Sequence, residues 1–245
     1  MRIEDELNYF LDKFLLGIVE RRKKMNYEPL KITFNLSSPI SLTHPWMHFD
    51  GLVAHLLTID ALGDYFYLLP NKFPFSRMLK GIRLPPFPIK DNQGLYHCSV
   101  SIFDSDRKAL EILYKRFEDR WAGGKRKIYK GSGFFKDYMI QHIYIPTRTV
   151  IFYMLADYEL IGRLCSLVNG LGDNTRVGWG AVRNFKIERQ REDWSLVYDG
   201  IAMRPIPEKF LKSASEFVNV AWRPPYWAPE SIAKCAIPGA KVELK

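Results

Sequence analysis

Histidines and carboxylates are the first candidates for chemistry in this sequence, but their spacing does not form an evident catalytic set. The histidines are His44, His48, His55, His97 and His142. His48 and His55 flank a segment predicted to be a buried helix, His97 begins a predicted strand, and no neighbour completes an acid–base pair with it. We therefore predict structural roles for them. A catalytic role is the alternative for His44, in a loop bounded by prolines, and for His142, near a basic segment.

The remaining acids and the cysteines suggest no metal site. Asp50 lies at the start of the predicted helix, near the positive end of its dipole, and is predicted to cap the helix rather than bind a metal. Cys98, Cys165 and Cys235 are widely spaced and form no CxxC pair. Cys98 and Cys165 lie in apolar stretches and are predicted to be buried. No metal and no cofactor are expected.

The strongest concentration of charge lies between residues 115 and 136. This segment holds eight cations and two acids, a net charge of +6 in a chain whose total is +9. The cations are Lys115, Arg116, Arg120, Lys125, Arg126, Lys127, Lys130 and Lys136. Aromatic residues are interleaved with them, and cations on phosphates with aromatic rings on unstacked bases are the usual chemistry of single-stranded RNA recognition. The segment predicts an RNA contact; a solvated charged face is the alternative.

A glycine-rich loop, Gly-Leu-Gly-Asp-Asn-Thr-Arg-Val-Gly-Trp-Gly, covers residues 170–180. It follows a predicted helix and precedes a predicted strand, the reverse of the order in nucleotide-binding loops, so no nucleotide cofactor is expected. Glycines permit positive φ and close backbone approach, and exposed N–H groups can donate to phosphate oxygens. The predicted RNA contacts are Gly170, Gly172, Arg176, Gly178, Trp179 and Gly180. A helix C-cap at Gly170 followed by a hairpin turn is the alternative.

Hydrophobic periodicity predicts an α+β chain. Predicted strands cover residues 30–37, 96–103, 149–155 and 181–188, and predicted helices cover 49–62, 107–121 and 158–168. Residues 63–94 are rich in Pro and Gly and are predicted to be irregular. If residues 104–148, which include the helix at 107–121, are a basic insert, the order of the rest is β–α–β–β–α–β. That order predicts a ferredoxin-like (RRM-like) core over residues 30–188.

Two further segments flank this core. Residues 1–25 are predicted to form an amphipathic N-terminal helix over 2–24. Residues 189–245 form a C-terminal extension in which Arg-Pro-Ile-Pro and Arg-Pro-Pro-Tyr-Trp are predicted to be extended connections. Because no internal repeat or low-complexity linker is visible, we predict a single elaborated domain over residues 1–245.

Composition indicates a globular protein with a polyanionic partner. Hydrophobic residues make up 47% of the chain, and the net charge of +9 favours nucleic acid or an anionic surface as a partner. No apolar run reaches the roughly 18 residues of a membrane span. The N-terminus carries acids where a signal peptide would carry cations. We predict a cytoplasmic protein.

The pattern G-h-G-x5-G-h-G, between the last helix and the last strand, resembles the glycine-rich loop of RAMP proteins, the RNA-binding subunits and RNA-processing nucleases of CRISPR systems. Within that superfamily the chain resembles the Cas-five-like subunit of type IV effector complexes over about residues 30–240. The segments that carry this narrower resemblance are PWMHFDGLVAHLL (45–57), YHCSV (96–100), KGSGFFKDY (130–138), residues 160–182 and RPPYW (223–227). The N-terminal helix lies outside the pattern.

The resemblance implies a non-catalytic subunit that grips the 5′ handle of a guide RNA (crRNA) and caps a backbone of repeated subunits. It also implies contacts with the large subunit and with target DNA near the protospacer-adjacent motif, and an associated helicase, in a prokaryotic cytoplasm. Some RAMP proteins cut RNA with a His or Tyr base and a Lys. A metal-independent endoribonuclease that processes precursor CRISPR RNA is therefore the alternative, and an RNA-binding protein outside CRISPR systems is a third.

Overall fold

Residues 25–63, 87–105, 107–116, 129–133 and 135–245 are described by a computed structural model. Its two α-helices are α1 (Phe49–Leu62) and α2 (Tyr158–Cys165). In chain order the strands are β1 (Tyr27–Leu36), β2 (Ile40–Ser41), β3 (Asp91–Asn92), β4 (Leu95–Tyr96), β5 (Ile102–Phe103), β6 (Ala109–Lys115), β7 (Tyr138–Ile145), β8 (Thr149–Asp157), β9 (Val182–Arg189), β10 (Val197–Tyr198), β11 (Ile201–Ala202), β12 (Ile206–Pro207), β13 (Leu211–Ala214), β14 (Val218–Ala221), β15 (Ile232–Ala236) and β16 (Val242–Leu244). The chain is thus mixed α+β with mostly antiparallel strands.

A four-stranded antiparallel sheet in the order β5-β8-β1-β9 forms the centre of the described structure. Alternate residues of its middle strands are buried, because successive side chains of a strand point to opposite faces. The buried set is Leu30, Ile32 and Phe34 on β1 with Val150, Phe152, Met154 and Ala156 on β8. This face of the sheet is the one that the helices cover.

Both helices follow from the spacing of their apolar residues. Helix α1 buries Phe49, Val53, Leu56 and Leu57, a single stripe at helical spacing, and ends at Gly63, whose φ is +54°. Helix α2 begins where the Asp157 side chain accepts a hydrogen bond from the N–H of Leu160 at 3.1 Å. No helix among the described residues is long and apolar enough to cross a membrane.

Most of the predicted core elements are confirmed. Helix 49–62 agrees with α1, and the strands predicted at 30–37, 149–155 and 181–188 agree with β1, β8 and β9 to within a few residues. The strand predicted at 96–103 is interrupted: only its two ends fall in β4 and β5. The helix predicted at 158–168 stops at Cys165. The predicted N-terminal helix lies outside the described residues, as does most of the 63–94 stretch.

The helix predicted at 107–121 is wrong over its described part. Ala109–Lys115 is strand β6, paired residue by residue with β7 from Ala109↔Tyr144 to Lys115↔Tyr138. The segment contains strong helix formers, but Ile112 and Tyr114 favour strands, and pairing with a strand more than twenty residues away overrides local propensity.

The C-terminal extension is more than the extended connection predicted for it. It contains strands β10 to β16, and its apolar side chains pack into a second cluster together with Leu95 of the β3–β4 hairpin. The buried members of this cluster are Leu95, Leu196, Ala202, Ile206, Leu211, Trp222, Cys235, Ala236 and Ala240. All three cysteines are buried free thiols, as predicted for Cys98 and Cys165.

One fully buried arginine joins the two clusters. The Nη1 of Arg204 donates to the carbonyls of Tyr96 and Cys98 at 2.5 and 3.2 Å. Its Nη2 donates to Asp50 Oδ2 at 3.1 Å and to the Trp222 carbonyl at 2.6 Å. Asp50 lies in α1 and Trp222 lies in the extension. Arg204 therefore connects the helical layer, strand β4 with the segment that follows it, and the C-terminal extension.

The carboxylate of Asp50 accepts a hydrogen bond from Arg204. The role as a helix cap that the sequence predicted for Asp50 is therefore wrong. Residue 48 is the N-cap, and Asp50 is 1% exposed and also accepts a hydrogen bond from the Tyr226 hydroxyl at 2.5 Å. Burial alone would lower the pKa of Arg204, but the negative charge of Asp50 raises it, so the guanidinium stays charged. Burial, followed by the charge of Asp50, raises the pKa of Tyr226, which therefore stays a hydrogen-bond donor.

His48 packs against the hydrogen-bond network of Asp50, Arg204 and Tyr226. Its ring stacks on Tyr226 with centroids 3.9 Å apart, and its Nε2 accepts a hydrogen bond from the Trp46 indole at 3.0 Å. Burial lowers the pKa of His48 to about 4; the nearby Arg204 acts in the same direction, against the charge of Asp50. His48 is therefore a neutral, structural residue at physiological pH.

Replacing Arg204 with methionine (R204M) should lower the free energy of unfolding by about 3–5 kcal/mol, because it leaves the buried carboxylate of Asp50 uncompensated. Chemical denaturation measures this change. Arg163→Met is the matched control: Arg163 also pairs with a carboxylate, that of Asp60, but its side chain is 57% exposed, so the loss should be below about 1 kcal/mol. Equal effects of the two substitutions would contradict the assignment of Arg204 as the joint between the clusters.

Acid should weaken the wild-type protein more than a His48→Gln variant. The unfolded histidine takes up a proton below its ordinary pKa of 6.5, whereas the folded one resists protonation down to about 4. The contribution of neutral His48 is therefore complete above pH 6.5 and is lost as the pH falls towards 4, by at most about 3 kcal/mol. Denaturation curves of both proteins across this range give the difference, and parallel pH profiles would refute it.

Candidate functional site

The predicted basic insert, residues 104–148, contains a β-ribbon formed by β6 and β7. Strands β6 and β7 pair over seven residues each, and β2 adds a short pairing with β7 through Ile40↔Ile145 and Ser41↔Tyr144. The resulting three-stranded sheet has the order β2-β7-β6. β2 pairs with the end of β7, and the described cations Lys115, Arg116, Lys130 and Lys136 lie at the opposite end of the ribbon, which we call its tip.

Two predicted RNA contacts are placed at this tip. Lys130 and Lys136 lie in the turn before β7, which is closed by hydrogen bonds from Lys136 N–H to the Gly133 carbonyl at 3.2 Å and from Asp137 N–H to the Lys130 carbonyl at 3.1 Å. Lys136 is exposed and Lys130 is half-buried. The other predicted contacts here, Lys125, Arg126 and Lys127, lie outside the described residues.

The glycine-rich loop folds against the connection between β1 and β2. The N–H of Gly180 donates to the Pro39 carbonyl at 2.7 Å, and the N–H of Asp173 donates to the Ser41 carbonyl at 2.8 Å. The Asp173 carboxylate in turn accepts hydrogen bonds from the N–H and the hydroxyl of Thr43, both at 2.6 Å. The loop is therefore braced by backbone and side-chain contacts along its inner side.

This bracing limits which groups of the loop could hold a phosphate. The N–H groups of Leu171, Asp173, Val177, Gly178 and Gly180 all donate to carbonyls of the protein itself. An anion would have to be held by the remaining groups of the loop, of which the exposed Arg176 side chain is the cationic one. The alternative of a helix C-cap at Gly170 is wrong: α2 ends at Cys165, and Gly170 instead bridges to Ala181.

The glycines of the loop that have positive φ differ in the reason that glycine is required. At Gly180, φ is +60° and an added Cβ would lie 1.9 Å from the Leu171 carbonyl oxygen; at Gly172, φ is +82° and the Cβ would lie 2.4 Å from the Ser41 carbonyl oxygen. At Gly178, φ is +98° but a Cβ would meet open space. Gly172 and Gly180 are therefore required by internal packing, whereas Gly178 is required only by its backbone conformation.

Trp179 joins the glycine-rich loop to the base of the ribbon. Its ring lies 4.6 Å from the His142 ring and 4.9 Å from the Tyr144 ring, centroid to centroid, and both partners are on β7. One part of the indole surface is thus occupied within the protein. The loop contacts the base of the ribbon, about 20 Å along β7 from the cations at its tip, given a rise of about 3.4 Å per residue.

The described histidines differ in burial and in their partners. His44 and His55 are exposed, and His142 is buried with no hydrogen-bond partner for its Nε2 among the described residues. His97 has a partner that the sequence did not reveal: its Nδ1 lies 3.1 Å from Asp193 Oδ2, 96 residues further along the chain. Burial alone would raise the pKa of Asp193, but hydrogen bonds from His97 and Ser195 lower it below its ordinary value.

The segments that carry the sequence resemblance meet at the two places already described. Residues 45–57, 96–100 and 223–227 supply Asp50, the Tyr96 and Cys98 carbonyls, and Tyr226, which converge on Arg204. Residues 130–138 and 160–182 supply the ribbon tip and the glycine-rich loop. Arg204 itself was missed by sequence reasoning. The sequence feature that could have indicated it is an arginine within a C-terminal region that otherwise alternates short apolar and proline-containing stretches.

Alanine at Gly180 and at Gly178 should separate packing from backbone strain. Gly178→Ala should cost about 1–2 kcal/mol, the strain of a non-glycine residue at positive φ. Gly180→Ala should cost at least about 2 kcal/mol more, because the Leu171 carbonyl must also move. Thermal and chemical denaturation of both variants test this expectation, and equal losses would show that the loop is not braced as described.

Two comparisons with known proteins add little to the geometry. A chain in a structure titled "Cryo-EM structure of the Type III-B Cmr-beta bound to cognate target RNA" is similar, with a TM-score of 0.38 and 11% sequence identity over 73% of this chain. The match covers 66% of that chain's length. No curated protein sequence matches the chain.

The family comparison is decisive. The sequence model described as "CRISPR type IV associated protein Csf3" matches residues 102–238, more than half of the chain. The match begins at β5 and includes the whole ribbon, the glycine-rich loop and most of the C-terminal extension, with Arg204 among its residues. The chain therefore belongs to the Csf3 family of type IV CRISPR-associated proteins.

Proposed function

We propose that this chain is a non-catalytic guide-RNA-binding subunit of a type IV CRISPR ribonucleoprotein, of the Cas-five-like kind. The observation that carries the proposal is the ribbon of β6 and β7. The densest cationic segment of the sequence connects its two strands, and its base contacts the glycine-rich loop through Trp179. A cationic segment with interleaved aromatic residues suits a single-stranded RNA.

We further propose that the core is ferredoxin-like. The strand order β5-β8-β1-β9, with α1 between β1 and β5 and α2 between β8 and β9, supports this assignment. It is the order expected when a β–α–β–β–α–β chain forms one antiparallel sheet with both helices on one face. In this proposal the ribbon is an insertion between the second and third core strands, and residues 1–245 form one elaborated domain.

Two separate parts of the surface would contact the RNA. The cations at the ribbon tip would neutralise phosphates, and Arg176 with the outer side of Trp179 would contact a neighbouring stretch of the strand. Both parts lie along the same ribbon, which gives an extended RNA a continuous path. The bracing of the loop implies that its glycines shape this path and that side chains supply most of the contacts.

The biological assignment follows the family. The RNA would be the 5′ handle of the guide RNA, and the subunit would cap a backbone of repeated subunits in a prokaryotic cytoplasm. It would touch the large subunit and target DNA near the protospacer-adjacent motif, in a complex that works with a helicase. The proposal of these partners rests on membership of a type IV CRISPR family. The cationic segment of the ribbon is the physical reason for including RNA among them.

A metal-independent endoribonuclease remains the second candidate, and one observation favours it. His97 and Asp193 form a pair of the kind that orients a general base. The side chain of His97 is 14% exposed and that of Asp193 is 30% exposed. The cationic segment and the glycine-rich loop, which would hold the RNA, are elsewhere on the chain. The non-catalytic proposal therefore treats this pair as a contact that fixes the start of the C-terminal extension.

Replacing Lys125, Arg126 and Lys127 with alanine should weaken binding of repeat-derived RNA without destabilising the protein. For every cation that touches a phosphate, its removal should lower the slope of log affinity against log salt by about one unit. Fluorescence anisotropy over a fourfold range of salt measures the affinity and the slope. The matched control removes three cations of the C-terminal extension, Lys209, Lys212 and Lys241, and should leave the slope nearly unchanged.

The same RNA tests the choice between binding and cleavage. Incubation with the wild-type protein in the absence of metal should leave the RNA intact on a denaturing gel. Specific cleavage that is lost in a His97→Ala, His44→Ala or His142→Ala variant would favour the endoribonuclease. An unchanged salt slope in the triple-alanine variant would show that the cationic segment is a solvated face.

A further inference from the structure

Three buried polar side-chain atoms in the described ranges have no hydrogen-bond partner: His142 Nε2, Ser195 Oγ and Arg204 Nε. A buried polar atom without a partner costs free energy, so each one calls for an explanation. Ser195 and Arg204 are 0% exposed, whereas His142 is 8% exposed and lies under Trp179 of the glycine-rich loop. Of the three, His142 is therefore the one within reach of a molecule that arrives from solvent.

The cover over His142 is an indole held by ring packing. The ring of Trp179 is tilted by 39° against the His142 ring and by 37° against the Tyr144 ring, so neither contact is a parallel stack. No hydrogen bond from the indole N–H to a described residue accompanies these contacts. Moving the indole away therefore costs ring packing and no hydrogen bond within the described part of the chain.

The backbone on both sides of Trp179 is fixed independently of the indole. The hydroxyl of Ser38 donates to the Gly178 carbonyl at 2.6 Å, and the N–H of Gly180 donates to the Pro39 carbonyl at 2.7 Å. The indole can thus turn about its own side-chain bonds while the loop keeps its conformation.

We propose that Trp179 occupies the place of one purine base, which bound RNA inserts against His142 and Tyr144. Indole and purine are both flat, fused five- and six-membered rings, so a purine can pack on the same two side chains. A purine also has ring nitrogens and exocyclic groups at its edge, which can hydrogen-bond to an imidazole nitrogen. With centroids only 4.6 Å apart, a ring that takes the position of the indole has its edge beside His142. The exchange would give the buried Nε2 atom a partner.

Glu111 favours a base over a phosphate at this place. It is paired directly with His142 across the ribbon, so the two side chains share a face, and it is exposed. A carboxylate repels a phosphate but accepts hydrogen bonds from the amino group of a base. The phosphates are left to Arg176 and to the cations at the ribbon tip, and the displaced indole becomes a stacking surface for the next base. This inference rests on the proposed function, because its ligand belongs to the same RNA.

The first test follows the indole itself. The wild-type chain is labelled with 5-fluorotryptophan, and a Trp179→Phe variant identifies the fluorine resonance of residue 179 by its loss. A short oligoadenylate RNA should shift this resonance, and an oligocytidylate of the same length, with the same number of phosphates, should shift it less. Equal shifts, or no shift at saturation, would overturn the purine site.

The second test removes the unpartnered nitrogen. His142→Phe keeps a ring under the indole, and the loss of an unsatisfied polar atom should leave the melting temperature unchanged or raise it. Its affinity for repeat-derived RNA, measured by fluorescence anisotropy, should fall by about fivefold or more, because the edge of the inserted base then has no partner. Tyr144→Phe is the matched control: it keeps the other ring under the indole and should bind RNA as the wild type does.

Replacing the purines of this RNA one at a time with an abasic nucleotide identifies the inserted base. At one position the replacement should weaken binding to the wild type by about fivefold or more and leave binding to His142→Phe almost unchanged, since both changes remove the same contact. Losses that multiply at every position would overturn the inference and leave RNA binding standing.

The two proposals can fail separately. If the wild-type chain does not bind repeat-derived RNA but oligoadenylate still shifts the Trp179 resonance, the guide-RNA proposal fails and the purine site stands. If His142→Phe melts at a lower temperature than the wild type, the fluorine measurement on the wild-type chain decides, because it needs no change at His142.

Discussion

The contact between Asp50 and Arg204 is the constraint on which the arrangement of this protein depends. A charged arginine has been taken wholly out of water, at a cost that only several well-placed partners can offset. Its five partners come from separate parts of the chain: Asp50 in α1, the Tyr96 and Cys98 carbonyls, and the Trp222 carbonyl and Tyr226 hydroxyl in the extension. Because every one of them must be in place, the central sheet and the C-terminal extension are held in one relative position.

The residues around the Asp50–Arg204 contact have shifted pKa values. Burial, followed by the charge of Asp50, raises the pKa of Tyr226, which stays protonated and donates to Asp50. Burial lowers the pKa of His48, which stays neutral where its ring stacks on Tyr226. Residues 45–57, 96–100 and 223–227 converge here, so these three segments share a structural joint. The RNA-binding surface that we propose lies elsewhere, on the ribbon and the glycine-rich loop.

The glycine-rich loop and the ribbon contact each other at the base of the ribbon. Gly172 and Gly180 allow the loop to lie against the β1–β2 connection, where a β-carbon would collide with a carbonyl. Trp179 then fixes the loop to β7. At the other end of the ribbon lie the described cations Lys115, Arg116, Lys130 and Lys136.

The sequence by itself determined the elements whose burial is periodic. Strands β1 and β8, helix α1, the α+β class and the position of the glycine-rich loop follow from spacing, because a repeating apolar face is a local property. Tertiary structure alone decided the rest. The Ala109–Lys115 segment became a strand by pairing with β7, Asp50 found Arg204 across 154 residues, and His97 found Asp193 across 96. Local patterns report which face of an element is buried. The partner of a buried charge, or of an exposed strand, depends on where distant segments meet in space, and no local pattern contains that information.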